Sequence, residues 1–296
     1  MSEWIFEALG IHIPLKKMYP KHKFIISYKS NLVGKFFNNV TPFSSGGQPF
    51  QAYILTKYGL KMSDTFSVLM MKFIVYETCL ISWVFILIGV NFEFFNKTLG
   101  GHMPLIVLGF IMNLIAVSFI LVAGVNKKVI LKIAKPIIRL AAKIKFGQRH
   151  LIKDLDAAIK HAEDSVSNYS NQFNEMRKQR RNLLKMYIVG MVQLLSYFSI
   201  TYMIYRAFGN TGVSYLEVIM VQSVLLLTMS FIPTPGSGLG AEGIFGLFFN
   251  EIYKIGLNMA ILFWRLYTYY FPIVIGPFAL VSVNRKVVNE ELKDIK

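Results

Sequence analysis

Ser230–Phe249 reads SFIPTPGSGLGAEGIFGLFF. It is apolar, then rich in Pro and Gly, then apolar again, with one acid, Glu242, at the edge of the break. Proline lacks the N–H that a helix interior needs, and glycine loses the most backbone freedom on ordering. The stretch therefore interrupts a helix, and the rest of the chain decides what kind of helix. The 296 residues are 54% hydrophobic and 16% charged, with a mean hydropathy of +0.47. Long apolar runs in such a composition predict an all-α integral membrane protein, a polytopic helical bundle.

A spanning helix needs ~20 mostly apolar residues. Four segments qualify, about 66–90, 103–125, 183–208 and 257–283. Two further apolar stretches are interrupted. One covers about 31–60 and breaks at TPFSSGGQP, Thr41–Pro49; the other covers about 215–253 and breaks at PTPGSGLG, Pro233–Gly240. Their leading flanks are only ~10 to ~17 residues long, and at ~1.5 Å per residue the shorter covers half of a ~30 Å hydrocarbon core.

Charge placement sets a topology. Basic residues gather at Lys16–Lys29, at Lys57 and Lys61, through Lys127–Arg181, and at Arg285 and Lys286, whereas the linkers 91–102 and 209–214 carry little charge. Basic loops belong inside. The last span ends inside only if 215–253 dips in from outside and returns, and the same test makes 31–60 a hairpin entering from the cytoplasm. Two re-entrant hairpins from opposite faces, broken by Pro42 and Pro49 in one and by Pro233 and Pro235 in the other, form an inverted repeat, which points to a substrate site at mid-depth. The alternative is two ordinary helices kinked by Pro and Gly, which membranes tolerate. Only a remnant near Trp4–Pro14 precedes the first hairpin, so the repeat leads us to expect an N-terminally shortened form.

The organisation is thus one membrane domain over 1–296: a first half (1–125), a basic cytoplasmic linker (126–181) and a second half (182–296). The linker holds 14 Lys or Arg against 5 acids. In its first part Lys128, Lys132, Lys135, Arg139 and Lys143 alternate with Ile130, Ile133, Ile137 and Ile144 at helical spacing, as in a helix lying on an anionic surface and kinked near Pro136. The formal net charge of +16 fits both the positive-inside bias and attraction to anionic headgroups. It does not suggest nucleic acid, since no basic face interleaved with aromatics sits on a soluble domain.

The lone Cys79 has no partner for a disulfide. The start MSEWIFEALGIHIPLKK lacks the order of charges and the cleavage site of a secretory signal. Gly238-x-Gly240-x-x-Gly243 fits a dinucleotide pattern but follows no strand, and no GxxxxGK[ST] occurs. His12, His22, His102, His150 and His161 lack metal-ligand spacing and read as surface or interfacial, and Ser44 and Ser45 lack a visible base. No cofactor, metal or catalytic residue is expected.

Intramembrane charges are costly and are functional candidates. Glu77 lies ~17 Å and Arg265 ~12 Å into their helices. Arg265 could meet a lipid phosphate with two bonds from its planar fork, while Glu242 and Glu77 balance it or contact a cationic headgroup. Alternatively Arg265 pairs with Glu242 or Glu77 merely to close the bundle. Lys72 and Arg206 sit near helix ends, where snorkelling is expected. Half-helices beginning after Gly47 and Gly240 would aim donor-rich positive ends at an anion. The expected lipid-contacting set is therefore Arg265, Glu242, Glu77, Gly46, Gly47, Gln48, Gly236, Ser237, Gly238 and Gly240.

The pieces NNVTPFSSGGQPFQAYIL, PTPGSGLGAEGIF and WRLYTYYFPIVIG resemble the transmembrane region of the lysylphosphatidylglycerol synthase/flippase family, the multiple peptide resistance factor and its stand-alone relatives. The likeness covers about Leu9–Val283. By resemblance Pro42, Gly46, Gly47, Pro49, Pro235, Gly236, Glu242 and Arg265 fall on motif positions, while Ser237 stands where the family often has a second Gly. The resemblance implies movement of an anionic or aminoacylated phospholipid between leaflets of the cell membrane, and with it resistance to cationic antimicrobial peptides. The family's aminoacyl-transferring domain is not in this sequence, so a separate synthase partner is an expectation, as is a homo-oligomer. Three classes stay open: a lipid flippase or scramblase, a transferase or its membrane subunit, and a transporter of another phosphate-bearing lipid or small molecule.

Overall fold

The computed structural model describes residues 2–42, 46–143, 155–229 and 238–294; Ser44, Ser45, His150, Pro233, Pro235, Gly236 and Ser237 lie outside them. Every regular element among the described residues is helical. In order they are α1 (Ser2–Met18), α2 (Phe24–Val40), α3 (Gly47–Thr56), α4 (Met62–Val90), α5 (Phe92–Leu99), α6 (Met103–Val125), α7 (Lys127–Lys143), α8 (Leu155–Lys178), α9 (Arg180–Ala207), α10 (Tyr215–Met229), α11 (Gly238–Phe249), α12 (Leu257–Arg265) and α13 (Phe271–Asp294), with a π turn, Leu266–Tyr270, joining the last two. Among the described residues four stretches are long and apolar enough to cross a membrane: Met62–Val90, Phe92–Val125, Arg180–Ala207 and Leu257–Val283. They overlap the four expected spans, the first starting four residues earlier, the second eleven and the third three. Along α6 only Ile106, Gly109, Asn113 and Gly124 are buried, as suits a helix whose other faces meet lipid.

α10 is the centre of the molecule. Every residue from Val218 to Thr228 is buried, and a helix apolar on all sides belongs in the interior. It packs on α4, α6 and α9. Its contact with α6 is made backbone to backbone: a side-chain carbon on Gly109 would stand 2.7 Å from the Thr228 Cα. Asn113 Nδ2 donates to the Leu227 carbonyl there, at 2.9 Å.

Hydrogen bonds fix which elements share an end of the bundle. At one end Tyr19 donates to Asp64 Oδ2 at 2.6 Å and accepts from the Lys61 N–H at 3.2 Å, so the α1–α2 and α3–α4 connections lie together. α8 bridges the same end, with Ser67 donating to the Tyr169 carbonyl and Ser170 to the Gly124 carbonyl. At the other end Asn91 Nδ2 donates to Glu217 Oε1 at 3.1 Å, and Asn210 bonds the Lys254 N–H and the Ile255 carbonyl, each at 3.0 Å. The chain therefore enters α2 and leaves α3 at one end, and enters α10 and leaves α11 at the opposite end.

Three boundary expectations change. α1 is a 17-residue helix with Trp4, Ala8, Ile11 and Leu15 buried, not a remnant over 4–14. The first apolar stretch begins at Phe24 rather than near Asn31. The helix after its break resumes at Gly47, so Gln48 and Pro49 stand in the first turn of α3, where a missing N–H costs nothing. Likewise Gly238 and Gly240 belong to α11. In α7, Ile133 is exposed and Lys135 is held by Glu163 at 2.6 Å.

Candidate functional site

The first break is closed by its own polar groups. Thr41 Oγ1 donates to the Phe37 carbonyl at 2.6 Å and accepts from the Gly46 N–H at 2.8 Å, while Asn38 Oδ1 accepts from the Gly47 N–H at 2.8 Å. Backbone freed inside a membrane needs such partners. α3 runs back antiparallel to α2, with Asn38 at Gly47 and Ser30 at the Gln51 carbonyl. Asn39 Nδ2 then reaches the last span, donating to the Thr268 and Tyr269 carbonyls at 3.2 and 3.1 Å. These carbonyls belong to the π turn that follows Arg265.

Beside this junction lies a cavity of about 280 Å³. Its wall takes Glu3 and Glu7 from α1, Lys35, Asn38 and Asn39 from α2, Gln48 and Gln51 from α3, Lys72, Tyr76 and Glu77 from α4, Gln193 and Tyr197 from α9, Met229 from α10, and Arg265 and Tyr267 from the last span. Three acids and three bases thus face one space. Of the expected set, Arg265, Glu77 and Gln48 are in this wall. Gly46 and Gly47 form the turn leading to it, and Glu242 reaches it through Arg265.

Arg265 is buried, 3% exposed, and its Nε lies 3.2 Å from Glu242 Oε1. Its guanidinium also sits over the rings of Trp264 and Tyr269, at 5.1 and 5.4 Å. The Arg265–Glu242 alternative of the sequence reading is therefore the pair the structure forms. Glu77 is different. It is 3% exposed, its Oε2 has no hydrogen-bond partner, and it makes no ion pair among the described residues.

The sequence reading missed half of the wall's charges. Lys35 Nζ lies 2.9 Å from Glu3 Oε1 and 2.7 Å from Glu7 Oε2, and Lys72 Nζ lies 2.9 Å from Glu7 Oε1. Lys72 therefore points into the cavity, against the expectation of snorkelling. Burial pushes the Glu7 carboxyl up, but Lys35 and Lys72 outweigh it and hold Glu7 well below the usual carboxylate range. Burial would lower Lys35, yet Glu3 and Glu7 hold its ammonium above the usual range. Glu3 goes the other way, raised because burial exceeds what Lys35 returns. An alkylammonium is thus already caged by two carboxylates in the wall, and a guanidinium and an unpartnered carboxyl oxygen share the same space. Among the histidines, which read as surface or interfacial, His22 is buried in the α1–α2 connection against His12, with ring centres 5.4 Å apart.

Four membrane-length apolar helices, three of which line a charged cavity, define a multi-pass helical membrane protein. The chain belongs to the lysylphosphatidylglycerol synthase TM region family, whose model matches residues 1–276. It is also similar to a UPF0104 membrane protein of Archaeoglobus fulgidus, 24% identical over 309 aligned positions that cover 98% of this chain and 85% of the relative. No solved structure matches it.

Proposed function

We propose that this protein is a lipid translocase that moves an anionic or aminoacylated phospholipid, such as lysyl-phosphatidylglycerol, between leaflets. The observation that carries the reading is the internal cavity where a buried guanidinium, two lysine ammonium groups and an unpartnered carboxyl oxygen face one space. A headgroup crossing a bilayer needs both signs of charge shielded, and the wall supplies both. Arg265 takes the phosphate in place of Glu242, and Glu77 accepts from an ammonium or hydroxyl of the headgroup. Such an exchange of partners needs no covalent step.

In this reading the two broken elements are re-entrant hairpins of an inverted repeat within one membrane domain. Each returns to the end from which it starts, and their helices of 10 to 17 residues are short against a ~30 Å core. The basic connections and the C-terminus face the cytoplasm of a cell membrane. Resistance to cationic antimicrobial peptides would follow where the lipid is aminoacylated. The second reading, membrane subunit of a phosphatidylglycerol lysyltransferase with a separate synthase partner, is favoured by the family's description.

Proteoliposomes loaded with fluorescent phosphatidylglycerol or its lysyl ester separate these. Leaflet exchange well above that of protein-free vesicles is expected, reduced ~100-fold by Arg265→Ala, as for removal of a charged group worth ~3 kcal/mol in a water-poor site. Exchange no faster than in empty vesicles sinks the translocase reading, and normal exchange by Arg265→Ala sinks the assignment of that residue. Aminoacylation by the purified chain would favour the second reading.

A further inference from the structure

A second concavity lies away from the central cavity and shares no lining residue with it. It is a surface groove of about 470 Å³ lined by Lys17 at the end of α1 and by Gln179, Arg180, Arg181, Asn182 and Lys185 at the start of α9. Among the described residues four cations and two amides line it, and no acid does. None of the four cations makes an ion pair among the described residues. The acid nearest in sequence, Glu175, is taken by Lys178 at 2.8 Å. Four like charges around one groove repel each other unless an anion lies between them.

Its position identifies the anion. Arg180 is the first residue of a membrane-length apolar helix, so the groove sits where a bilayer's polar and apolar layers meet. Directly below, Leu184, Ile188 and Val192 are 59%, 54% and 39% exposed. Their spacing of four residues makes an apolar ridge along one face of α9. A basic groove above an exposed apolar ridge matches a molecule with an anionic head and long hydrocarbon tails.

We infer that this groove is a binding site for an anionic phospholipid, headgroup against Lys17, Arg180, Arg181 and Lys185 and an acyl chain along Leu184, Ile188 and Val192. The site stands outside the translocation cavity and does not depend on the translocase reading. The lipid tethers the ends of α1 and α9 to each other at the membrane surface. The amides of Gln179 and Asn182 stand beside the headgroup as neutral polar neighbours; they already bond each other, at 2.9 Å.

The test uses the full chain purified in neutral detergent. Native mass spectrometry reads lipids retained from equimolar phosphatidylglycerol and phosphatidylcholine. Phosphatidylglycerol carrying a diazirine on its acyl chain maps the contact by crosslinking. We expect preferential retention of phosphatidylglycerol and crosslinks within residues 184–192. Both should fall more than about tenfold in the Lys17→Gln, Arg180→Gln, Arg181→Gln, Lys185→Gln variant, since each basic side chain at an anionic headgroup is worth about fivefold in affinity. These side chains are exposed, so the variant should fold, which an unchanged melting temperature in lipid-free detergent would check. Arg265→Ala should leave the groove's crosslinks unchanged while reducing exchange ~100-fold. Equal retention by the quadruple variant overturns the inference. So does tight binding of RNA or inorganic phosphate that the quadruple variant abolishes, without preference for phosphatidylglycerol over phosphatidylcholine; the occupant would then be a soluble anion.

Discussion

Lys35 shows how much of the cavity rests on single residues. Its side chain is 19% exposed and holds Glu3, 5% exposed, and Glu7, 15% exposed, at once. Removing one partner of a buried ion network strands the others, which typically costs ~3–5 kcal/mol, while replacing the whole network by neutral groups is far milder. Lys35→Met should therefore lower the unfolding midpoint in detergent markedly, and adding Glu3→Gln, Glu7→Gln and Lys72→Met, which neutralises the whole network including the Lys72–Glu7 pair, should recover most of the loss. The recovery is the informative part, because a merely tight apolar fit around the lysine stem would give a fully neutralised variant at least as unstable as the single one. The same logic assigns Glu77 the opposite character. With no cation to strand, Glu77→Gln should leave stability nearly unchanged, and its effect belongs to ligand binding.

Between elements, the connection that places Arg265 is Asn39. It ties the first hairpin to the π turn, where the shift from α-helical to i→i+5 bonding leaves carbonyls off the regular ladder. Asn39→Ala removes both donors and should cost ~1–3 kcal/mol, the usual penalty of unsatisfied buried polar groups. It should also slow lipid exchange, by less than Arg265→Ala, because the guanidinium is displaced rather than deleted. A variant with wild-type stability and wild-type exchange would show that the hairpin and the last span position themselves independently. This junction was not legible in the sequence. The spans were, since 18 or more apolar residues admit few alternatives, and the break at Thr41–Pro49 was visible in its composition. The boundaries slipped because Pro49 is as comfortable in a first helical turn as in a loop. Lys72 was misread because position near a helix end says nothing about which way a long side chain turns. Glu3, Glu7 and Lys35 escaped notice because each looks like an ordinary charge in a mixed segment, and their meaning arises only when α1 folds onto α2, 28 to 32 residues apart in sequence. Arg265 and Glu242 were singled out because a charge inside a long apolar run has few inexpensive explanations.

For the whole molecule, the ends of the bundle and the sides of the membrane must agree. The hydrogen bonds put Lys57, Lys61 and the α6–α7 junction at one end, and Asn91, Asn210 and Lys254 at the other. The first end is rich in Lys and Arg and the second is not, and in the topology proposed above the first faces the cytoplasm. Parity then has a sharp consequence at Lys254. If α10 and α11 together crossed the membrane, Lys254 would label with Lys57; if they dip in and return, it labels with Lys97. Single cysteines at positions 57, 127, 97, 212 and 254, in a Cys79→Ala background, can be probed on intact cells with an impermeant maleimide. Cysteines at 97, 212 and 254 should react from outside, and those at 57 and 127 only after permeabilisation. Protection of position 254 in intact cells while 97 reacts would refute the return of the second hairpin and with it the inverted repeat, whatever the lipid proves to be. Labelling of 57 and 127 in intact cells with 97, 212 and 254 protected would keep the return of the second hairpin but reverse the assigned orientation. Only the predicted pattern lets two breaks entering from opposite faces approach one charged cavity, which is the geometry a headgroup would need to pass from leaflet to leaflet without leaving protein.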